Sequence, residues 1–541
     1  MKRIFSLVVL LLVTSIAALS SQNQMDLMMT LSGEYIGCEY GASIVSMDFN
    51  GDGYDDLIVK SPLWHPTQQT GNYFNMYGKV YFYWGGPSFD DQPDFVLEGQ
   101  YPYHFAGYTY SSRENPMINA GDMNGDGIDD LVIPQRLADG TRCVAVYFGR
   151  ANPLSSPDVE LHYPYPDTDK IFVYPLGDVN GDEKDDVSLT ILTGYTLNYM
   201  CLNLIWTEVY GNPVLFRTSV AALNLCGVGD VNGDGFADMV HYDQVGNNRS
   251  FSFYYGNESC SMADSLLIGT QSVAVDNYSS PIGDVNGDGV SDFVSWSNRI
   301  WLGDSVIDSN FDIIIDREPW LSFSYGMWPS IIHGDFNGDG FEDFAASDNH
   351  YAGNSGQAGI WLGKQNMNGT RDLSIDPPDN YRFRNFGWSK AAGDFNGDGY
   401  CDVAFSAPIF DQGDHWNTAG KVFIYAGNAE LNDTTVSNED EILPPLQMND
   451  WRINLYPNPL QKDSPYIQVA FSGEAYSKEQ DDITLQIYNL KGQSLAQKTI
   501  NPSVLQESKF ELYLGKHPAG IYIVSIKAKG NTKYSKRFCI L

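Results

Sequence analysis

Short apolar, β-favouring runs recur along this chain, each entered from a polar turn rich in Asp, Asn and Gly. Leu57-Ile58-Val59, Leu131-Val132-Ile133 and Val403-Ala404-Phe405 are examples. A second set of short runs ends in glycine, at 80–85, 144–149, 251–256, 300–303, 360–363 and 422–427. Runs of this length, rich in β-branched and aromatic residues and bounded by turn formers, predict strands. About four such strands fit between successive polar turns, so the chain is expected to be all-β.

The polar turns are copies of one nine-residue pattern, Asp-x-Asn-Gly-Asp-x-x-x-Asp. They begin at Asp48, Asp122, Asp178, Asp230, Asp284, Asp335 and Asp394, with successive starts 74, 56, 52, 54, 51 and 59 residues apart. Periods near fifty residues mark propellers, solenoids or arrays. Four short strands per period match one propeller blade.

The pattern also carries chemistry. Calcium takes about six to eight oxygen ligands, and alternate residues of a tight loop can point at one centre. The first copy offers Asp48, Asn50, Asp52, the carbonyl of Tyr54 and Asp56. The second offers Asp122, Asn124, Asp126, Ile128 and Asp130, and the third Asp178, Asn180, Asp182, Lys184 and Asp186. The fourth offers Asp230, Asn232, Asp234, Phe236 and Asp238, and the fifth Asp284, Asn286, Asp288, Val290 and Asp292. The sixth offers Asp335, Asn337, Asp339, Phe341 and Asp343, and the seventh Asp394, Asn396, Asp398, Tyr400 and Asp402. An EF-hand would need a bidentate Glu at position 12. That position holds Val59, Ile133, Leu189, His241, Ser295, Ala346 and Phe405, so strand–loop–strand is the expected unit. Glycine at position 6 permits a positive φ. The third copy has Glu183 there and Lys184 next. A strained backbone and a nearby ammonium make it the weakest of up to seven expected calcium sites.

These repeats resemble FG-GAP repeats, the blades of integrin α-subunit heads and of many bacterial surface proteins. Tyr40-Gly41, Tyr325-Gly326 and Phe386-Gly387 precede loops, and Ser61-Pro62 and Ala407-Pro408 follow them. The resemblance implies a seven-bladed propeller over residues 30–430, with the calcium loops between strands 1 and 2 on the lower face. It also implies ligand binding on the opposite face. Three connections between strands 2 and 3 are long, at 61–78, 347–358 and 408–420, and ring closure makes their blades neighbours. They carry Trp64, His65, Tyr73, Phe74, Tyr77, His350, Tyr351, Phe410, His415 and Trp416. Aromatic clusters of this kind suit sugar rings and protein hot spots; packing of the loops on one another is the competing reading.

At the N-terminus Met1-Lys2-Arg3 precedes an apolar run from Ile4 to Val13, and Ala18-Leu19-Ser20 fits signal-peptidase cleavage. Residues 1–20 therefore read as a secretion signal, and no other stretch is apolar enough to span a bilayer. Residues 431–450 are acidic and polar with Pro444-Pro445, as in a linker. Residues 451–541 alternate apolar and polar positions, as in a small Ig-like β-sandwich. That segment resembles the type A sorting domain of the type IX secretion system, on four stretches. They are Tyr456-Pro457-Asn458-Pro459, Ile487-Tyr488-Asn489-Leu490-Lys491-Gly492, Gly520-Ile521-Tyr522 and the basic tail 533–537. The resemblance implies a Gram-negative bacterium of the Bacteroidota type, type IX machinery as partner, and delivery to the medium or the outer cell surface.

Charge narrows the functional classes. The formal net charge is −36 with 68 acidic residues, three per loop being Asp ligands. Without cations these clusters repel. So acidic a chain with no basic stripe is a poor nucleic-acid binder. The seven cysteines stand singly with no Cys-x-x-Cys, which disfavours zinc or haem. Gly-x-Ser-x-Gly and His-Glu-x-x-His are absent. The expected function is binding or adhesion to an extracellular glycan or protein. The alternatives are a lyase-like polysaccharide enzyme using His65, His415 or Tyr73 as base, and a structural surface component.

Overall fold

The structure is a computed structural model. It describes residues 24–68, 75–105, 116–162, 170–193, 200–219, 225–245, 248–258, 265–271, 279–295, 299–304, 307, 311–315, 331–349, 351, 355–378, 385–408 and 419–431, and then 452–456, 466–472, 483–489, 494–500, 510–513, 520–528 and 531–540. The expected signal and nearly all of the expected linker fall outside these residues. Two compact units divide the chain, Met1–Thr435 and Val436–Leu541.

Among its described residues the first unit contains seven four-stranded antiparallel sheets. Blade 1 is Ser43–Met47, Asp56–Ser61, Lys79–Tyr83 and Phe95–Glu98, in sequence order across the sheet. Blades 2 to 6 repeat this meander over 118–162, 170–219, 225–271, 279–314 and 331–375. The first strand of each blade contacts the first strands of the blades before and after it, and Ser43–Met47 contacts Lys390–Gly393, so the ring closes. This is a β-propeller. Each blade buries apolar side chains on both faces against its neighbours. Ile44, Leu57 and Val59 pack toward blade 7 with Ala404 and Ile424, while Val45, Ile58 and Phe82 pack toward blade 2 with Leu131 and Ile133.

Closure departs from the sequence expectation at one point. Blade 7 contains Lys390–Gly393, Asp402–Ala407 and Lys421–Ala426, and its outer strand is Asp26–Ser32 from the start of the chain. Thr30 pairs with Phe423 and Ser32 with Lys421. The propeller thus begins before residue 30. Its last sheet is completed by hydrogen bonds between segments almost 400 residues apart.

In the second unit Arg452–Tyr456, Tyr466–Ser472 and Phe510–Tyr513 form one sheet, and Ser494–Ile500, Ile483–Asn489, Gly520–Ala528 and Asn531–Ile540 form another. Leu485, Ile487, Tyr522 and Val524 are buried. No helix among the described residues is long and apolar enough to cross a membrane.

Candidate functional site

Each nine-residue loop joins strands 1 and 2 of its blade, and all seven share one hydrogen-bond plan. The position-1 Asp takes the position-5 N–H on Oδ1 at 3.0–3.2 Å. It takes the position-6 N–H on Oδ2 at 2.7–2.9 Å. Asp at position 5 takes the position-7 N–H at 3.0–3.1 Å. These are Asx-type turns, in which a short acidic side chain stands in for backbone. The glycines at position 6 have φ between 89° and 93°, and a Cβ there would meet nothing within 4 Å. Backbone conformation alone therefore selects glycine, and Glu183 takes the same region at φ 69° at a cost of about 1 kcal/mol.

Position 9 is different in kind. Asp56, Asp130, Asp186, Asp238, Asp292, Asp343 and Asp402 are fully buried. Each takes the position-2 N–H on Oδ2 at 2.9–3.1 Å. In six blades Oδ1 takes the N–H of the glycine that ends strand 3, at 2.7–3.1 Å. This explains the recurring strand-final glycine: Gly85, Gly149, Gly256, Gly303, Gly363 and Gly427 bring their backbone against the loop. Burial, and then the carboxylates at positions 1 and 5, push these carboxyls up. Asp56, Asp130, Asp186 and Asp343 reach about 8, and Asp238, Asp292 and Asp402 about 7.

Among the described residues no three His, Cys, Asp or Glu side chains close on one point as a finished metal shell. The loop carboxylates are turned to backbone N–H groups instead. The donor set still fits a hard cation: it is all oxygen, it supplies three carboxylates within nine residues, and one of these is buried beside the others. Blade 3 adds an orphan oxygen. Its third strand is followed by Thr207-Glu208 rather than glycine, and Asp186 Oδ1 is buried with no hydrogen-bond partner.

The loops also interlock around the ring. In five of the loops a Cβ on the position-4 glycine would run against the position-7 side chain of the next. Gly51 faces Ile128, Gly181 faces Phe236, Gly287 faces Phe341, Gly338 faces Tyr400, and Gly397 faces Tyr54 across the closure. Backbone bonds reinforce this contact: Glu342 N–H reaches Asp284 O at 3.1 Å, and Gly86 N–H reaches Phe395 O at 2.9 Å. The position-7 side chains therefore fasten neighbouring blades. In the third loop the Lys184 side chain lies against Gly125 of the second loop. Glu183 holds a positive φ at the position where the other six loops have glycine. The aliphatic stem of Lys184 runs over the second loop.

Strand connections on the opposite face are unequal, as expected: those after Ser61, Asp348 and Ala407 are long. The structure assigns Trp64 and His65 a packing role. They are 6% and 5% exposed. Trp64 Nε1 donates to Glu34 Oε2 at 2.9 Å, and Lys79 Nζ donates to Glu34 Oε1 at 2.7 Å and to Glu98 at 2.9 Å. Tyr81 OH also donates to Glu34, and the Lys79 ammonium sits 5.0 Å from the Trp64 and Tyr81 rings. Burial pushes the Glu34 carboxyl up, but the bonds from Lys79, Trp64 and Tyr81 outweigh it and hold it below its usual value. His65 N–H donates to Tyr35 OH at 2.6 Å, and its ring stands edge-on to Tyr77 at 5.0 Å. Both residues tie the segment after Asp26–Ser32 to blade 1. Tyr77 and Tyr351 are half-buried. Tyr73, Phe74, His350, Phe410, His415 and Trp416 lie outside the described residues. The Glu34 network was not foreseen, because a lone Glu in a polar loop carries no spacing signal.

Comparison with known proteins agrees with this architecture. The model of the FG-GAP repeat matches residues 40–83 and 386–425, and that of the secretion system C-terminal sorting domain matches 454–541. Integrin alpha-5 of Xenopus laevis is 29% identical over 122 residues, which is 23% of this chain and 11% of that protein. Integrin alpha-4 of the same organism is 30% identical over 132 residues, 24% of this chain and 11% of that protein. The chain thus spans about a tenth of the length of these relatives. A fucose-specific lectin from Aleuria aurantia superposes with a TM-score of 0.32 at 8% identity, covering 74% of this chain and 99% of the lectin; the propeller is established by the sheets described above. The first unit is a β-propeller that carries FG-GAP repeats at 40–83 and 386–425 and is similar in part to integrin α subunits. The second is a type IX sorting domain, which marks the protein for the cell surface or the medium of a Bacteroidota-type bacterium.

Proposed function

We propose that this protein is an exported adhesion module. Calcium in the seven loops braces its propeller, and the long-loop face binds an extracellular glycan or protein. The observation that carries the reading is the difference between the two faces of the ring. One is occupied by seven near-identical loops whose side chains are committed to the loop backbone and to the next blade. The other bears long connections on three blades that closure makes adjacent. A scaffold that holds one face constant and varies the other is how loop-borne recognition is built. The half-buried Tyr77 and Tyr351 belong to those connections, whereas Trp64 and His65 are buried within the first of them.

The test is a glycan and polysaccharide array probed with the secreted chain, with calcium and with chelator. Calcium-dependent retention on one glycan class is expected, weakened by Tyr351→Ala with an unchanged melting profile. Absence of retention on every glycan would redirect the search to protein ligands. Turnover of a retained polymer would contradict the non-enzymatic reading.

A further inference from the structure

Every nine-residue loop carries the dipeptide Asn-Gly, at 50–51, 124–125, 180–181, 232–233, 286–287, 337–338 and 396–397; one further pair, Asn368-Gly369, lies outside the loops. Asn-Gly is prone to deamidation, because glycine has no Cβ to hinder attack of its nitrogen on the Asn side chain. Here both reacting groups are held. In the first six loops the glycine N–H donates to Oδ1 of the position-1 Asp at 2.6–2.8 Å. These are charge-assisted bonds. In the sixth loop the Asn337 carboxamide is pinned as well: its Oδ1 takes the Asp339 N–H and its Nδ2 donates to Asp339 Oδ2, both at 3.0 Å. The fifth loop pins Asn286 on Asp288 in the same way, at 2.9 Å.

We propose that the Asn residues of the first six loops are latent deamidation sites, each held closed by its position-1 Asp. In the reaction the glycine nitrogen loses its proton to a solvent base and attacks Asn Cγ. A C–N bond forms, the Cγ–Nδ2 bond breaks, and ammonia leaves a cyclic succinimide. Water then opens that ring, so the sum is Asn plus water giving Asp or isoaspartate plus ammonia. The nucleophile is an amide anion, and here it would form 2.6–2.8 Å from a carboxylate oxygen. Like charge disfavours that anion, and its proton must first leave a charge-assisted bond. A loop that opens loses both restraints. Isoaspartate adds a methylene to the backbone, so such a loop does not resume the hydrogen-bond plan of the others. Each loop therefore records its own opening irreversibly, whatever the long-loop face binds.

The test is peptide mass spectrometry of the full secreted chain, aged at mildly alkaline pH with and without urea. Chelator is present throughout, so that cation binding plays no part. The six Asn residues are expected to react at least about tenfold more slowly in the folded chain than in urea. Asp335→Ala frees the Gly338 N–H and should raise the folded-state rate at Asn337 by at least about tenfold, with the other loops of the same molecule as reference. Asp343→Ala disturbs the same loop but leaves the Gly338 bond, and should raise the rate at Asn337 less than Asp335→Ala does. Equal rates in the folded and unfolded native chain would overturn the proposal. So would an Asn337 in Asp335→Ala that reacts no faster than the other loops, or an effect of Asp343→Ala as large as that of Asp335→Ala. Asp284→Ala, read at Asn286, makes the same test in the fifth loop should Asp335→Ala fail to fold.

Discussion

Chelation of divalent cations is expected to lower the melting midpoint of the propeller by more than about 10 °C, because each loop that binds calcium only when folded adds its own increment of linkage stabilisation. The same experiment should reverse the pH dependence of stability. In chelator the ninth-position carboxyls are shifted up to about 7 or 8 in the folded chain, against about 4 when unfolded. Between those values the folded chain holds protons that the unfolded chain has released. That contribution is present at pH 4 and is lost as pH rises to about 8. With calcium the sign inverts, because the ligand carboxylates must be ionised to bind and acid competes with the cation. Differential scanning calorimetry from pH 5 to pH 8, with calcium and with chelator, checks both. Parallel pH profiles in the two conditions would count against cation binding at these loops.

The second large effect separates metal binding from loop architecture. Asp343→Ala leaves the buried Phe336 and Gly363 N–H groups without acceptors, and should cost about 2–5 kcal/mol even in chelator. Asp335→Ala removes the acceptor for Gly338, Asp339 and Gly340 at an exposed turn, where water replaces it, and should cost about 1 kcal/mol in chelator. Both substitutions delete one carboxylate from the sixth loop. In calcium the gap between them should therefore narrow, because each loses the stabilisation that this site supplies. Urea unfolding midpoints of the two variants in both conditions read this directly. A gap that stays the same in calcium would assign the loop a purely structural role.

The propeller was legible because one motif serves two purposes. Asp at positions 1, 5 and 9 and glycine at position 6 are demanded by the turn itself, so the pattern recurs wherever strand 1 meets strand 2. The strand-final glycines were legible for a related reason, since their N–H groups must reach the buried ninth Asp. Other features have no local signature. Asp26–Ser32 alternates like any strand, and its partner near residue 423 is set by ring closure. Trp64 looked like a surface aromatic because a sequence does not distinguish a ring facing solvent from one sealed by Glu34 and Lys79. The reach of Lys184 to Gly125, and the missing donor for Asp186, depend on how one blade sits on the next.

The most direct test of calcium as the brace of this ring is the amount of calcium retained per chain after equilibrium dialysis, counted by elemental analysis. Several equivalents per chain are expected, approaching one for each loop, with one fewer after Asp343→Ala or Asp335→Ala. Less than one equivalent in the native chain, together with an unchanged melting midpoint in chelator, would contradict the account.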